Sequence, residues 1–343
     1  MKLVLTVLAR DEADIIDAQV AFHLNAGVDF VVATDNNSRD GTTDILKAYE
    51  REGVLRLIEE PAEGLRQGEW VTRMARLAAS ELDADWVINS DADEFWWPRG
   101  ESLKNVLAAV PPQYGIVHAF WRSFVPRPDD DRFFAERMTV RLSQHAPIND
   151  PSSFYRPVTK VAHRADANVV VGRGNHGLVG SPLRALTTWH PIEVLHFPQR
   201  SRAQWAHKVD LQGAAFTKHI ERAGTGYHLT SYSALQRGRI DDQYAAMVVD
   251  DEAVERGLRD RTVVEDTRLR DALRTLRLVP ARACERSYRV PAEAETALDF
   301  SAALAADEAA YAVEAAALSE ADAVRIQRRV DALEQRLNAV ETS

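Results

Sequence analysis

The chain has 343 residues and a single cysteine, Cys284, so neither an intrachain disulfide nor a cysteine-built zinc site can form. That fits a reducing compartment, and the expected location is cytoplasmic. No stretch approaches the roughly 20 apolar residues needed to span a bilayer, which leaves only a peripheral membrane contact open. The apolar run Leu3 to Ala9 is cut off at once by Arg10, Asp11 and Glu12. It is too short for a signal peptide and reads as a buried strand. A basic surplus is also missing: 42 basic against 52 acidic residues give a formal net charge of -10. A general nucleic-acid binder needs a basic face, so that class is excluded, although a local basic pocket for a diphosphate is not. The chain contains no P-loop, Gly-x-Gly-x-x-Gly, Gly-x-Ser-x-Gly or His-Glu-x-x-His, which removes several common enzyme classes.

What is present is an ordinary globular composition, 45% apolar and 27% charged, long enough for one large α/β domain with an appendage, or for two domains. The first hundred residues alternate strand and helix. Strands are expected over Leu3–Ala9, Phe30–Thr34, Val54–Glu59 and Trp86–Asn89, with helices over about 13–25, from Thr42 or Thr43 to about 52, and over 68–82. Gly27 stands where a helix stop belongs. Such alternation implies a mainly parallel sheet with right-handed crossovers. In open sheets of this kind ligands bind beyond the carboxyl ends of the strands. Three polar clusters fall at such ends: Arg10-Asp-Glu12, Asp35 to Asp40, and Asp91 to Glu94.

The middle is mixed, with strand-like runs at 115–120, 138–142, 158–163 and 168–171 and most of the histidines. After Ser201 the chain turns helical, most clearly over 203–223. The expected division is a domain over 1–215 and a helical region over 216–343. Near the end, Ala323, Ile326, Val330, Leu333, Leu337 and Val340 step by three and four residues. That spacing describes a terminal helix packed on its own domain or a short coiled coil joining two copies into a homo-oligomer.

Asp91-Ala-Asp93 is the strongest chemical signal. Two carboxylates one residue apart at the end of an apolar strand are not cheaply buried without a counter-charge. A hard divalent ion, Mg²⁺ or Mn²⁺, supplies one through oxygen ligands. The competing reading is an exposed acidic turn, but the flanking Trp86-Val-Ile-Asn-Ser and Phe95-Trp-Trp-Pro set these acids in an apolar frame. In Asp35-Asn-Asn-Ser-Arg-Asp-Gly-Thr42, Asp35 and Asn36 are candidates to read a nucleoside while Asp40 or Thr42 caps the next helix. Arg200 and Lys208 flank a helix start and are candidates for a diphosphate or, equally, solvated charges. Arg66 and Arg73 are weaker versions of the same idea. Trp96, Trp97, Phe120, Trp121 and Phe124 suit either a stacking wall for a sugar ring or a plain core.

Taken together, Arg10-Asp-Glu-Ala-Asp-Ile-Ile16, Thr34-Asp-Asn-Asn-Ser-Arg-Asp-Gly-Thr42 and Asn89-Ser-Asp-Ala-Asp-Glu-Phe95 resemble glycosyltransferase family 2 and its close relatives. The resemblance is good over about 1–100 and loose to 215. It implies a GT-A (Rossmann-like) α/β fold: a mainly parallel sheet flanked by helices, here followed by a helical C-terminal region. Asp11-Glu12 stands where that family carries an Asn-Glu pair opening the nucleotide site, a departure at the first position. Asp35, Ser38, Asp40, Gly41 and Thr42 match the nucleoside loop, with Asn36 at a position often acidic. Asp91 and Asp93 match the Asp-x-Asp that binds the metal and the donor diphosphate. Asn175-His-Gly177 and Val194-Leu-His-Phe-Pro-Gln-Arg-Ser201 resemble later segments of the family's Asp-Glu-Phe branch. They make His176 and His196 candidates to complete the metal shell, since neutral imidazole is a competent ligand.

The implied activity is metal-dependent transfer of a sugar from a nucleotide-sugar donor to a hydroxyl, with inversion. The acceptor would be a glycan, a lipid-linked or a small molecule. Direct attack needs a general base, and Asp150, Asp166 and Glu193 lie in the right region without spacing choosing among them. Two other readings stand beside this one. The first is a nucleotide-sugar-binding or scaffold protein without turnover. The second is a haloacid-dehalogenase-like phosphatase with Asp91 as nucleophile, in which Phe95 occupies the position where Thr or Val is usual.

Overall fold

A computed structural model describes residues 1–62, 64, 66–99, 102–130, 132–143, 158–187, 189–217 and 226–276. Asp150, Cys284 and the heptad-like positions 323–340 lie outside them. In chain order the elements are β1 (Leu3–Ala9), α1 (Ile16–Asn25), β2 (Phe30–Asp35), α2 (Thr42–Arg51), β3 (Leu55–Glu59), α3 (Gln67–Ser80), β4 (Trp86–Asp91), β5 (Glu94–Pro98), α4 (Leu103–Ala108), β6 (Ile116–Ser123), α5 (Phe134–Arg137), β7 (Val140–Leu142) and β8 (Thr159–Arg164). A single 3₁₀ turn, Arg173–Asn175, follows. Then come β9 (Ala185–Leu186), β10 (Ile192–His196), α6 (Arg202–Thr217), α7 (Gly226–Gln236), α8 (Ile240–Met247), α9 (Asp251–Arg259), β11 (Val263–Glu265) and α10 (Arg268–Arg274).

The central sheet runs β3-β2-β1-β4-β8-β6-β10-β5, with β9 added beside β6. Its first four strands are parallel. β8 runs antiparallel between β4 and β6, β10 is parallel to β6, and β5 closes the edge antiparallel to β10. This is the expected α/β layout, a mainly parallel sheet flanked by helices. β1 is central because nearly every residue of it is apolar. Leu3, Leu5 and Val7 join the large core that includes α1 and α2, while Val4 faces Val71, Met74 and Ala75 of α3. Each such fully buried aliphatic side chain contributes about 1.5–3 kcal/mol relative to exposure.

Helix α1 stops as its sequence requires. Gly27 has φ +103°, and the Val28 amide reaches back to the His23 carbonyl at 3.0 Å, a left-handed C-terminal cap. Gly41, also at φ +103°, opens α2.

Phe95-Trp-Trp-Pro, the apolar frame beside the acids, is the buried strand β5. The strand β10 over Ile192–His196 was not anticipated, and 168–171 contributes only an isolated bridge, Val171 to Leu178. The boundary near 215 is also crossed: β11 pairs with β7, and Leu269, Ala272 and Leu273 of α10 enter the main core. The helices α6 to α8 form a small cluster of their own around Trp205, Val209, Ile240 and Tyr244.

The strand order places β2 on one side of β1 and β4 on the other, so the chain changes direction between β1 and β4. Leu8 and Asp91 are register partners there. The polar ends of both strands open into the same crevice, where ligands of such sheets bind.

Candidate active site

Two loops build one wall of this crevice by bonding to each other. The Asp11 amide donates to Ser38 Oγ (2.9 Å), the Arg39 amide to Asp11 Oδ1 (2.6 Å), the Glu12 amide to Thr42 Oγ1 (2.8 Å) and the Ala13 amide to Asp40 Oδ2 (2.9 Å). Asp11 holds φ 54° to do so. Asp35 is buried, and its carboxylate accepts from the hydroxyls of Ser38 and Thr43. The Asn36 side chain donates through Nδ2 to the carbonyls of Glu60 (3.0 Å) and Ala62 (2.7 Å), while its Oδ1 accepts from Arg10. Arg73 reaches the same corner and pairs with Glu60 at 3.0 Å. The residues expected to read a nucleoside are thus gathered at one edge, with much of their hydrogen-bonding capacity spent on shaping the loop.

The acidic segment forms the other wall. Asp91 ends β4, and its Oδ1 accepts from Gln67 (2.9 Å) and Asn175 (3.2 Å). Its Oδ2 lies 2.8 Å from Lys160, whose ammonium also sits 2.6 Å from Glu94 Oε1. Asp93 Oδ2 lies 2.7 Å from Lys208, and its Oδ1 faces His196 Nε2 at 3.7 Å. Lys208 also reaches Glu12 Oε1 at 3.5 Å. Arg200 is buried behind them on Glu12 and Asp14, with Nε 2.7 Å from Asp14 Oδ2 and Nη1 donating to the Phe197 carbonyl at 2.9 Å. Ser201, next to it, caps α6 by accepting the Gln204 amide at 3.1 Å. This cap aims Lys208, two turns along the helix, at the acids.

Burial sets the protonation states. It would raise the Asp93 carboxyl, but Lys208, His196 and Arg200 outweigh it and hold Asp93 well below the usual range. Burial pushes the His196 imidazole down to about 3, helped by Lys160 and Lys208, so the ring is neutral at neutral pH. Burial, with Asp91 and Asp93 nearby, pushes Glu94 up to about 8. The His196 ring stacks on Trp121 at 4.0 Å between centroids, which fixes its orientation.

Among the described residues no group of three or more His, Cys, Asp and Glu gathers to hold a metal ion. The donor set offered is smaller: an ionised Asp93 and a neutral His196 facing each other. Two protein ligands plus substrate phosphates are what Mg²⁺ or Mn²⁺ commonly takes, and the residues fit an ion there.

The other expected residues are placed as follows. His176 is exposed near this edge, with Nδ1 donating to the Thr159 carbonyl at 2.9 Å and its ring edge-on to Trp121 at 6.1 Å. Asp166 accepts the Asn168 amide at 2.8 Å beyond Arg164. Arg164 pairs with Trp86 at the start of β4, so Asp166 lies at the opposite end of the sheet from Asp91. Glu193 points to the other face of β10 from His196. It is caged by Arg122 (2.6 Å), Arg268 (2.6 Å) and Arg99 (3.6 Å). Burial opposes its charge, but the arginines hold it well below the usual carboxylate range. Neither Asp166 nor Glu193 is brought to the crevice as a base. Trp96, Trp97, Phe120 and Phe124 are buried core, which leaves Trp121 alone of the expected wall beside the site. Lys160 and Asp14 were missed. The signal for Lys160 was a lone lysine alternating with apolar residues in a strand-like run.

Residues 8–170 match the family model of glycosyltransferase family 92. That is just under half of the chain, and the matching family is 92 where the motifs resembled family 2. The match contains both loops of the first wall, Asp91, Asp93 and Lys160, and ends before His196 and Lys208. No curated protein matches the chain significantly. Among solved structures it is similar to S. aureus TarS, at 13% identity over 67% of this chain and 45% of that one, with a TM-score of 0.35. The UDP complex of TarS 1–349 gives 10% identity over 80% and 90%, with a TM-score of 0.34. The complex of Mycobacterium tuberculosis glucosyl-3-phosphoglycerate synthase with Mn²⁺, UDP and glucosyl-3-phosphoglycerate gives 19% over 35% and 44%, with a TM-score of 0.26. The chain spans less than half the length of the first TarS structure and of the synthase. Likenesses of this depth decide neither ligand nor activity.

Proposed function

We propose that the chain is a glycosyltransferase that takes a sugar from a nucleotide-sugar donor, with the nucleoside diphosphate seated between the ends of β1 and β4. The observation that carries this reading is the convergence at one crevice of the Asp11–Glu12 loop, the Asp35–Thr42 loop and the Asp91–Glu94 segment. The match of 8–170 to a glycosyltransferase family supports it. Asp35 and Asn36 shape the nucleoside pocket, and Lys208 stands where a donor diphosphate needs counter-charge. Asp93 and His196 would hold a divalent ion. When bound, such an ion neutralises charge growing on the departing diphosphate. Trp121 orients His196 and keeps water from its face. The phosphatase reading is weaker, because both Asp91 oxygens are already engaged by Lys160, Gln67 and Asn175.

The test is release of nucleoside diphosphate from UDP-, GDP- and dTDP-sugars with Mn²⁺, in the wild-type chain and in Asp93→Ala. Release by the wild type and its loss in a folded Asp93→Ala are expected. Binding of a donor without release would identify a non-catalytic binder. A phosphorylated Asp91 would identify the phosphatase.

A further inference from the structure

Asn175 carries two costs at once, and both fall on the crevice. It is fully buried in the turn between β8 and β9 and holds a left-handed φ of 59°. A residue with a Cβ keeps that conformation only where its surroundings impose it. Here they do. The Val171 amide donates to Thr72 Oγ1 of α3 at 3.0 Å, and Arg76 Nε of the same helix donates to the Val169 carbonyl at 2.8 Å. The Gly172 amide then closes the turn on the Gly177 carbonyl at 2.8 Å. Gly174, at φ +71°, has no room for a side chain, since a Cβ would stand 2.7 Å from the His176 ring.

The second cost is polar. Asn175 Nδ2 donates to Asp91 Oδ1 at 3.2 Å, which fixes the amide, because a carboxylate accepts from its nitrogen and repels its oxygen. Asn175 Oδ1 is left buried with no hydrogen-bond partner among the described residues. A stranded acceptor of this kind is destabilising and rare in a native fold. An ionised phosphate offers only acceptors and cannot satisfy it; a hydroxyl can. The half-buried Gln67 amide lies over the same Asp91 oxygen at 2.9 Å. It is a flexible side chain at the start of α3, which an entering hydroxyl can displace.

We propose that Asn175 is a specificity-determining residue that reads one hydroxyl of the transferred sugar through Oδ1. The assignment rests on the nucleotide-sugar reading above, in which the sugar lies beside the diphosphate at the end of β4.

The test uses the full chain with Mn²⁺ and whichever UDP-, GDP- or dTDP-sugar the wild type cleaves, together with the monodeoxy analogues of that sugar. Release of nucleoside diphosphate gives kcat/KM for each in the wild type and in Asn175→Gly, since glycine keeps a left-handed turn without strain. In the wild type one analogue is expected to fall below the parent sugar by at least about 100-fold, as in sites that hydrogen-bond a substrate hydroxyl. Asn175→Gly should cut that ratio by at least about 10-fold, while the analogue itself and the affinity for the free nucleoside diphosphate stay within about 2-fold of wild type. A merely structural role would instead lower every sugar and the nucleoside diphosphate together. An unchanged ratio in a folded Asn175→Gly, or a uniform loss, overturns the assignment and leaves the nucleotide-sugar reading standing. If Asn175→Gly does not fold, crystals of the wild type soaked with the parent sugar nucleotide decide. A sugar hydroxyl within about 3.2 Å of Oδ1 supports the assignment, and a water or nothing at that oxygen overturns it. Should the wild type release nucleoside diphosphate from no donor, the nucleotide-sugar reading falls, and this assignment with it.

Discussion

Replacing Arg200 by methionine tests whether the crevice is held together by charge. The guanidinium is 1% exposed and ties the start of α6 to the loop after β1, bonding Glu12, Asp14 through both oxygens and the Phe197 carbonyl. Methionine keeps much of the volume and removes every one of these bonds. Removing one partner of a buried ion pair typically costs about 3–5 kcal/mol, because the other charge stays buried and unpaired. Two features pull this case to the low end: Asp14 is 44% exposed and can rehydrate, and Lys208 remains 3.5 Å from Glu12. The expected loss is therefore about 3 kcal/mol. At about 2–4 °C per kcal/mol, that is a fall in Tm of about 6–12 °C. Urea unfolding and calorimetry measure it. Adding Glu12→Gln removes the stranded charge and should recover part of the loss. A single variant within 2 °C of wild type (a shift of under about 1 kcal/mol) would refute the reasoning. So would a double variant less stable than the single by the full cost of Glu12→Gln alone.

Two other outcomes are expected. His23 is buried, and its Nε2 accepts the Trp96 amide at 3.0 Å. Burial lowers its pKa to about 4, below the ordinary value near 6.5 of the unfolded chain. The unfolded state therefore binds the extra proton first, and the stability His23 contributes is full above about 6.5 and lost as pH falls toward 4. Between pH 7 and pH 5 the wild type should lose up to about 2 kcal/mol more than His23→Gln, which keeps an acceptor but cannot titrate; identical pH profiles would contradict this. At Gly27, alanine meets a left-handed backbone and Lys104 Cβ at 3.4 Å, so Gly27→Ala should lose about 1–2 kcal/mol, and an unchanged urea midpoint would count against the cap.

The first four strands were legible because each is an unbroken apolar run bounded by polar residues, and a parallel strand covered on both faces leaves that trace in sequence. The acidic clusters could be placed for the same reason, since a strand end fixes where its next residues lie. β5 and β10 were harder. They are short, and Phe95-Trp-Trp and Val194-Leu-His carry side chains that suit a binding wall as well as a core. Only the sheet decides, by pairing Trp96 with Val194 and burying both. The wrong placement of Asp166 and Glu193 has a related origin. Proximity in sequence to a site strand does not say which end or face of the next strand a side chain takes, and an antiparallel insertion such as β8 reverses the direction. Lys160 and Asp14 were missed because an ion pair spanning dozens of residues, such as Asp14 with Arg200, has no local signature.

The most direct measurement is an anomalous difference map at the manganese edge from crystals soaked with Mn²⁺ and UDP. A peak between Asp93 and His196, with diphosphate density beyond the ends of β1 and β4, is the expected result. An empty crevice at full soak, or nucleotide bound elsewhere on the chain, would contradict the proposed function.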